Sequence, residues 1–167
     1  KRLYRQIGQV QLPDLIVDID RETRFSWALL GRPASSEREL LVLYGALLAH
    51  GTAMNAAGVA LMMPGVSEAS IAEAMHFLER DDALREANRL VVEYLRTHPV
   101  VNLWGKGQTA SSDSMSLDVS RHLWNARIDP RRGTPGIGIY THLLDQWGII
   151  YDQPIVLGRR QAGAAIE

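Results

Sequence analysis

Apolar residues recur at three- and four-residue intervals between residues 35 and 99, which is the spacing of one face of an α-helix. This pattern predicts four consecutive helices. The first begins at a capping box formed by Ser36 and Glu39 and ends at His50-Gly51 in a glycine cap. The other three are expected near residues 55–62, 67–78 and 82–97.

The spacing changes to alternation in the second part of the chain, which is typical of strands. Around Asp113, every second residue falls on one face, and serines occupy much of the other. Segments 136–144 and 148–157 are rich in β-forming residues, and the short turn Asp145-Gln-Trp-Gly separates them. Short connections between successive strands favour an antiparallel meander, with Asp113 on its first strand.

Residues 1–31 give a weaker signal. Leu15, Val17 and Ile19 fall on alternate positions, which predicts a short strand. We therefore expect a connecting segment at 1–31, a helical subdomain at 32–100 and a strand-rich domain at 101–167. Because helices and strands are segregated along the chain, the predicted fold class is α+β.

Composition narrows the class of protein without defining a function. The 167 residues are 46% apolar and 22% charged, as in globular domains, and the net charge is −1. Lys1 and Lys106 are the only lysines, so arginine, the better ligand for phosphate, supplies nearly all of the positive charge. The absence of cysteine excludes disulfides and suits a reducing cytoplasm. No apolar run approaches the ~20 residues of a membrane span, so no membrane partner is expected.

Asp113 is the carboxylate best placed for chemistry. Metal-assisted phosphoryl transfer uses two divalent cations about 3.5–4 Å apart, and these need a shared carboxylate that a rigid strand can hold. A solvated aspartate on a strand face would show the same pattern, so the spacing leaves both interpretations open. Asp14, Asp18 and Asp20 are interpreted as surface carboxylates near a turn and not as a metal cluster.

The connection between the first two strands, residues 121–133, is dense in arginine and is called the arginine loop below. Guanidinium groups suit phosphates and an indole suits base stacking, although a solvated hairpin explains the same residues equally well. The loop carries Arg121, His122, Trp124, Arg127, Arg131 and Arg132.

The helices predicted at 55–62 and 67–78 have the layout of a helix-turn-helix. A recognition helix should offer basic or amide side chains to DNA. The second of these helices carries Glu68, Glu73 and Glu79 instead, and DNA would repel these carboxylates. We therefore predict that these helices pack and do not read DNA.

Three strings of residues resemble one known family. They are Ala110-Ser-Ser-Asp113, Tyr140-Thr-His-Leu-Leu-Asp145-Gln146 and Ala162-Gly-Ala-Ala-Ile-Glu167, and the likeness extends to Leu12-Pro-Asp-Leu-Ile16. Together they resemble the catalytic domain of the transposases of the Tn3 (Tn-three) family, which serve replicative, cointegrate-forming bacterial transposons. The resemblance spans nearly the whole chain.

The resemblance implies a fold, a reaction and a set of partners. Residues 101–167 would form the first three antiparallel strands, and the start of the first helix, of an RNase H-like domain. Asp113 would be the first acid of a DDE triad and a ligand of Mg²⁺ in metal-dependent strand cleavage and strand transfer. The partners would be double-stranded DNA, as transposon terminal inverted repeats and as target, and further copies of the enzyme in a synaptic complex. The setting would be the bacterial cytoplasm, in association with the nucleoid.

The chain is expected to be part of a longer enzyme. It begins at Lys1 instead of methionine and stops within an alanine-rich segment. The family's other two triad acids lie downstream, beyond Glu167, so we predict that this chain alone binds Mg²⁺ weakly or not at all and is inactive.

The roles of two further residues stay open. His142 and Asp145 belong to a His-x-x-Asp-Gln signature in the resemblance and are candidates for support of the acid, although Asp145 also suits a turn cap.

Two other classes of function also stay open. From the residues alone, the chain could instead be a DNA-binding module without chemistry, built on the arginine loop and the helix pair. A helical interaction domain at 35–99 is the other alternative.

Overall fold

The computed structural model describes residues 9–146 and 148–158. The chain divides after Tyr94 into two compact units, the first helical and the second built on a sheet. This division falls within the last helix and not at the predicted boundary after residue 100. The segment Ala162–Glu167, which contributes to the family resemblance and to the expected start of a helix, lies outside the described residues.

The four helices predicted from the apolar spacing are confirmed, and two more precede them. Ser36, Asn55 and Ser67 cap three of them by accepting hydrogen bonds from backbone N–H groups in the first turn. The helices are α1 (Leu12–Thr23), α2 (Phe25–Leu30), α3 (Glu37–Gly51), α4 (Ala56–Met62), α5 (Glu68–Leu78) and α6 (Asp81–Thr97). In the described part of the chain, none of them has the length and apolar character that a membrane span requires.

The glycine cap predicted for the end of α3 is wrong. Gly51 is the last helical residue, and the next residue, Thr52, is extended with a φ of −128°. The hydroxyl of Thr52 donates a hydrogen bond of 2.6 Å to the carbonyl of Leu48. A side chain therefore closes the helix where a left-handed glycine was expected.

The strand predicted near residue 17 is also wrong, because these residues form α1. Ile16 and Ile19 lie three positions apart and pack against the core cluster that contains Phe25 and Leu29. That contact follows the period of a helix, whereas Leu15 and Val17, which suggested alternation, are exposed. Residues 12–30 are thus part of the helical core and not a connecting segment.

Asp20 joins α1 to the helices that follow. Its buried carboxylate accepts hydrogen bonds from the backbone N–H of Ser26 at 2.8 Å and from the hydroxyl of Tyr44 at 2.6 Å. Burial, reinforced by the hydrogen bond to Asp20, raises the pKa of Tyr44 above its ordinary value. Asp20 therefore has a structural role in the helical unit, as buried polar groups need partners.

The second unit is a four-stranded antiparallel sheet. The three predicted strands are confirmed as β1 (Ala110–Asp118), β3 (Pro135–Leu144) and β4 (Ile149–Ile155), and a two-residue strand β2 (Arg127–Ile128) was not predicted. A 3₁₀ helix at Pro99–Leu103 precedes β1. β3 is central, with β1 along one edge and both β2 and β4 along the other. The mixture of helices and an antiparallel sheet confirms the α+β class.

Candidate catalytic strand and arginine loop

Asp113 lies in the middle of β1, directly opposite Thr141 of β3. Nine consecutive residue pairs join the two strands without a bulge, so pairs that precede and follow Asp113 fix its backbone. The side chain is exposed, and Oδ1 accepts a hydrogen bond of 2.7 Å from the N–H of Ser114. The sheet therefore presents this carboxylate to solvent from a rigid position.

A second carboxylate lies on the same face of the sheet as Asp113 and in the same row, that is, among the residues paired side by side across the strands. Thr141 pairs with Asp113 on one side and with Asp152 of β4 on the other. Directly paired residues point to the same face, and two strand spacings separate the Cα atoms of the two acids by about 10 Å. Within the described residues, no group of three or more His, Cys, Asp or Glu side chains is arranged to hold a metal ion.

The sequence did not single out Asp152. Its row depends on the register between β3 and β4, which is irregular between His142 and Leu143. An irregular register changes which residues share a face, so counting in twos along β4 does not give its position. The alternation of β1, by contrast, placed the side chain of Asp113 correctly.

His142 lies on the opposite face of the sheet from Asp113. It pairs with Ser112, and its Nδ1 is 2.7 Å from the Ser112 hydroxyl oxygen. The ring also packs edge-on against Tyr140, with ring centroids 5.2 Å apart. The structure therefore does not bring His142 and Asp113 together.

Asp145 fastens the segment that leads into β1. Its Oδ1 accepts a hydrogen bond of 2.8 Å from the N–H of Gly107, and its Oδ2 accepts one of 3.0 Å from the hydroxyl of Thr109. A Cβ atom at Gly105 would lie less than 3.0 Å from the carboxyl group of Asp145. The glycines before β1 therefore allow close approach of this carboxylate, whose observed contacts are structural.

Hydrogen bonding outweighs burial at Asp145. Burial raises its pKa. Hydrogen bonds from the Thr109 hydroxyl and from the N–H groups of residues 107–109 together lower the pKa by more than burial raises it, so the net shift is downward. A carboxyl whose pKa is lower when folded stabilises the fold above its unfolded pKa, about 3.9. That stabilisation is lost as the pH falls through the lower folded value, so it is complete at neutral pH.

We expect Asp145→Ala to release the segment before β1. The amide hydrogen of Gly107 should exchange with solvent roughly tenfold faster or more at neutral pH, because its acceptor is gone. Hydrogen-exchange mass spectrometry would measure this, with Asp152→Ala as a control from the same sheet. Unchanged protection of residues 105–109 would show that another contact holds the segment.

The arginine loop is ordered by turns at both ends of β2. Buried Asp129 accepts a hydrogen bond of 2.8 Å from the N–H of Arg131, and this bond, followed by one from the Ser116 hydroxyl, lowers its pKa. Arg132 lies 3.7 Å from Asp118 and 4.0 Å from Asp129, so acids already neutralise part of its charge. Arg121, Arg127 and Arg131 are exposed.

The geometry defines a sheet that presents a fixed carboxylate on β1, and a basic loop follows the end of that strand. The profile of the family described as Tn3 transposase DDE domain matches residues 14–167. The chain belongs to this family, which confirms the resemblance drawn from its motifs.

Individual transposases are also similar in sequence to this chain. The chain is 47% identical over 165 residues to the transposase for insertion sequence element IS1071 in transposon Tn5271 of Comamonas testosteroni, and the match covers 99% of this chain. It is 27% identical to the transposase for transposon Tn1546 of Enterococcus faecium over 96% of this chain. It is 26% identical to the transposase for transposon Tn21 of Escherichia coli over 93% of this chain. The chain spans only about 17% of the length of the first two relatives and 16% of the third.

Proposed function

We propose that this chain supplies one metal-binding carboxylate, Asp113, to the DNA-cleaving site of a transposase. The observation that carries the proposal is the placement of an exposed aspartate at the centre of a strand paired along its whole length. Two-metal phosphoryl transfer is sensitive to ligand position, and a paired strand holds a carboxylate better than a loop does. Family membership adds that a DDE domain acts through divalent metal.

The donor set of the described residues fits Mg²⁺ in part. Asp113 offers hard carboxylate oxygens, which Mg²⁺ prefers, and Asp152 is the acid that shares its row. When bound, the metal would activate the attacking oxygen and stabilise charge on the phosphate during strand cleavage and strand transfer. Because one strand supplies so few ligands, the remaining triad acids would come from outside this chain. The chain alone would then bind Mg²⁺ weakly and cleave no DNA.

An RNase H-like sheet is the arrangement we propose for the complete domain. Three long antiparallel strands in the spatial order β1, β3, β4 match the opening meander of such a sheet. Within the described residues β1 pairs only with β3, so its outer edge is available to the further strands that the complete sheet needs. Asp113 would then lie near the centre of the completed sheet.

The roles that we propose for Asp145, His142 and the helical unit differ from that of Asp113. Asp145 would act at a distance, by fixing the segment that enters β1. His142 would act on the far face, since the strand backbone separates its ring from the carboxylate of Asp113. The helical unit would be a packing element, because α5 exposes Glu68 and Glu73, and exposed Glu79 follows at its C-cap.

The arginine loop would bind the phosphates of transposon-end or target DNA near the catalytic strand. Asp113 and Asp118, where β1 ends, are five residues apart, a distance of about 17 Å along a strand. The loop begins three residues later, so one duplex could contact both. The synaptic complex would bring further copies of the enzyme to the paired transposon ends.

Replacing Arg127, Arg131 and Arg132 together with alanine should weaken duplex binding and flatten its salt dependence. Each lost phosphate contact removes about 0.9 from the slope of log K against log salt, so three contacts would remove about 2–3. Arg132 should contribute least, because it already lies near Asp118. Fluorescence anisotropy with labelled DNA at several salt concentrations would give the slopes.

The control variant removes the same number of arginines from the helical unit, so its change in charge is equal. Arg21, Arg38 and Arg89 are exposed there, and Arg89 already binds Glu86 and Glu93. Their joint replacement with alanine should leave the slope unchanged. Equal slopes for the loop variant and the unmodified chain would remove the arginine loop from the DNA interface.

A further inference from the structure

Trp124 is 84% exposed within the arginine loop. Tryptophan has a large apolar surface that folded proteins usually cover to a considerable degree. Its neighbours in the loop do not cover it: Leu123 is also exposed, and Ile128 is 61% exposed. The loop therefore presents a flat aromatic ring to whatever the chain binds.

The exposure of Trp124 is not a consequence of an irregular backbone. Two successive turns shape this part of the loop, with hydrogen bonds of 3.0 Å from Leu123 N–H to the Ser120 carbonyl and from Ala126 N–H to the Leu123 carbonyl. Val119 N–H donates a bond of 3.0 Å to the carbonyl of Pro135, which anchors the loop to β3. The backbone on both sides of Trp124 is thus ordered by turns, and the indole remains exposed.

The charge around the ring selects the chemistry of its partner. Residues 119–135 contain four arginines and a single acid, Asp129, so the segment carries three net positive charges. Asp129 is buried and engaged in the turn, and Arg132 lies near Asp118 and Asp129, so Arg121, Arg127 and Arg131 supply most of the exposed positive charge. A second copy of this loop would be repelled by like charge, whereas a polyanion with flat rings complements both features.

We propose that Trp124 stacks on an unpaired base of the DNA whose phosphates the arginine loop binds. This inference rests on the proposed function and adds the substrate feature that this site recognises. A base inside a duplex has both faces covered by its neighbours, so the indole can stack only where the DNA is single-stranded, frayed or distorted.

The test compares the affinities of the chain for a single strand and for the corresponding duplex by fluorescence anisotropy. Trp124→Ala should weaken single-strand binding roughly 5- to 150-fold, the range expected for loss of one stacked base. It should change duplex binding by less than about threefold and leave the salt slope unaltered, since no phosphate contact is lost. Trp124→Phe should retain most of the single-strand affinity, because a phenyl ring still stacks.

Trp104→Ala is the matched control, because Trp104 is 61% exposed in the same unit but lies before β1, outside the arginine loop. It should bind both DNAs like the unmodified chain. Unchanged single-strand affinity in Trp124→Ala, or an equal loss in Trp104→Ala, would overturn the stacking role while leaving phosphate binding intact. If the unmodified chain binds neither DNA, the proposed DNA contact of the loop fails, and the stacking role fails with it.

Discussion

Asp113→Asn in a full-length transposase that contains this chain should abolish nicking of transposon-end DNA. Asparagine keeps the size of the side chain and its place in β1 but removes the charge that a divalent metal requires. Metal ions contribute several kcal/mol of transition-state stabilisation, so we expect a loss of at least about a thousandfold. Binding to transposon ends should remain, because the change removes no phosphate contact.

Asp118→Asn is the control for this replacement. Asp118 lies at the end of the same strand but five residues away, so its side chain is on the opposite face. Asparagine can still accept the hydrogen bond from the Thr134 hydroxyl that Asp118 receives at 2.8 Å. Nicking should therefore persist near its normal rate in this variant. Robust nicking by the Asp113→Asn enzyme would exclude Asp113 from the metal site.

The largest effect on stability is expected at Leu43 of α3. Its side chain is 2% exposed and packs in the cluster that contains Phe25, Leu29 and Leu78. Leu43→Ala would leave a cavity among helices of one unit and should lower the free energy of unfolding by about 2–5 kcal/mol. Urea unfolding followed by helical circular dichroism would measure it.

Leu61→Ala is the matched control, with the same atoms removed from a side chain that is 88% exposed in α4. It should change the free energy of unfolding by less than about 0.5 kcal/mol. Similar losses in both variants would mean that the helical unit is not organised around the core described above.

The last four helices, α3 to α6, and the three long strands follow from local rules. The interval between apolar residues and the capping side chains Ser36, Asn55 and Ser67 define α3 to α5 within a residue or two. Alternation also gave the face of Asp113, because β1 is regular along its whole length. Local periodicity is informative where an element keeps one period from end to end.

Long-range features were not predictable in the same way. The alternation at residues 15–19 predicted a strand, whereas the packing of Ile16 and Ile19 against the core cluster that contains Phe25 and Leu29 follows a helix. The partners of Asp145 lie 36 and 38 residues away, so no local pattern reports that this carboxylate fixes the entry to β1. The position of Asp152 was not predictable for a related reason, because its row depends on the irregular register between β3 and β4.

A change of metal preference is the sharpest test of whether Asp113 ligates the catalytic metal. The sequence contains no cysteine, so Asp113→Cys introduces the single thiol of this chain. A thiolate is a poor ligand for Mg²⁺ and a better one for softer cations such as Mn²⁺. Nicking of transposon-end DNA by the full-length Asp113→Cys transposase would be measured in each metal. We expect no detectable nicking in Mg²⁺ and partial recovery in Mn²⁺, whereas undiminished nicking in Mg²⁺ would show that Asp113 does not bind the metal.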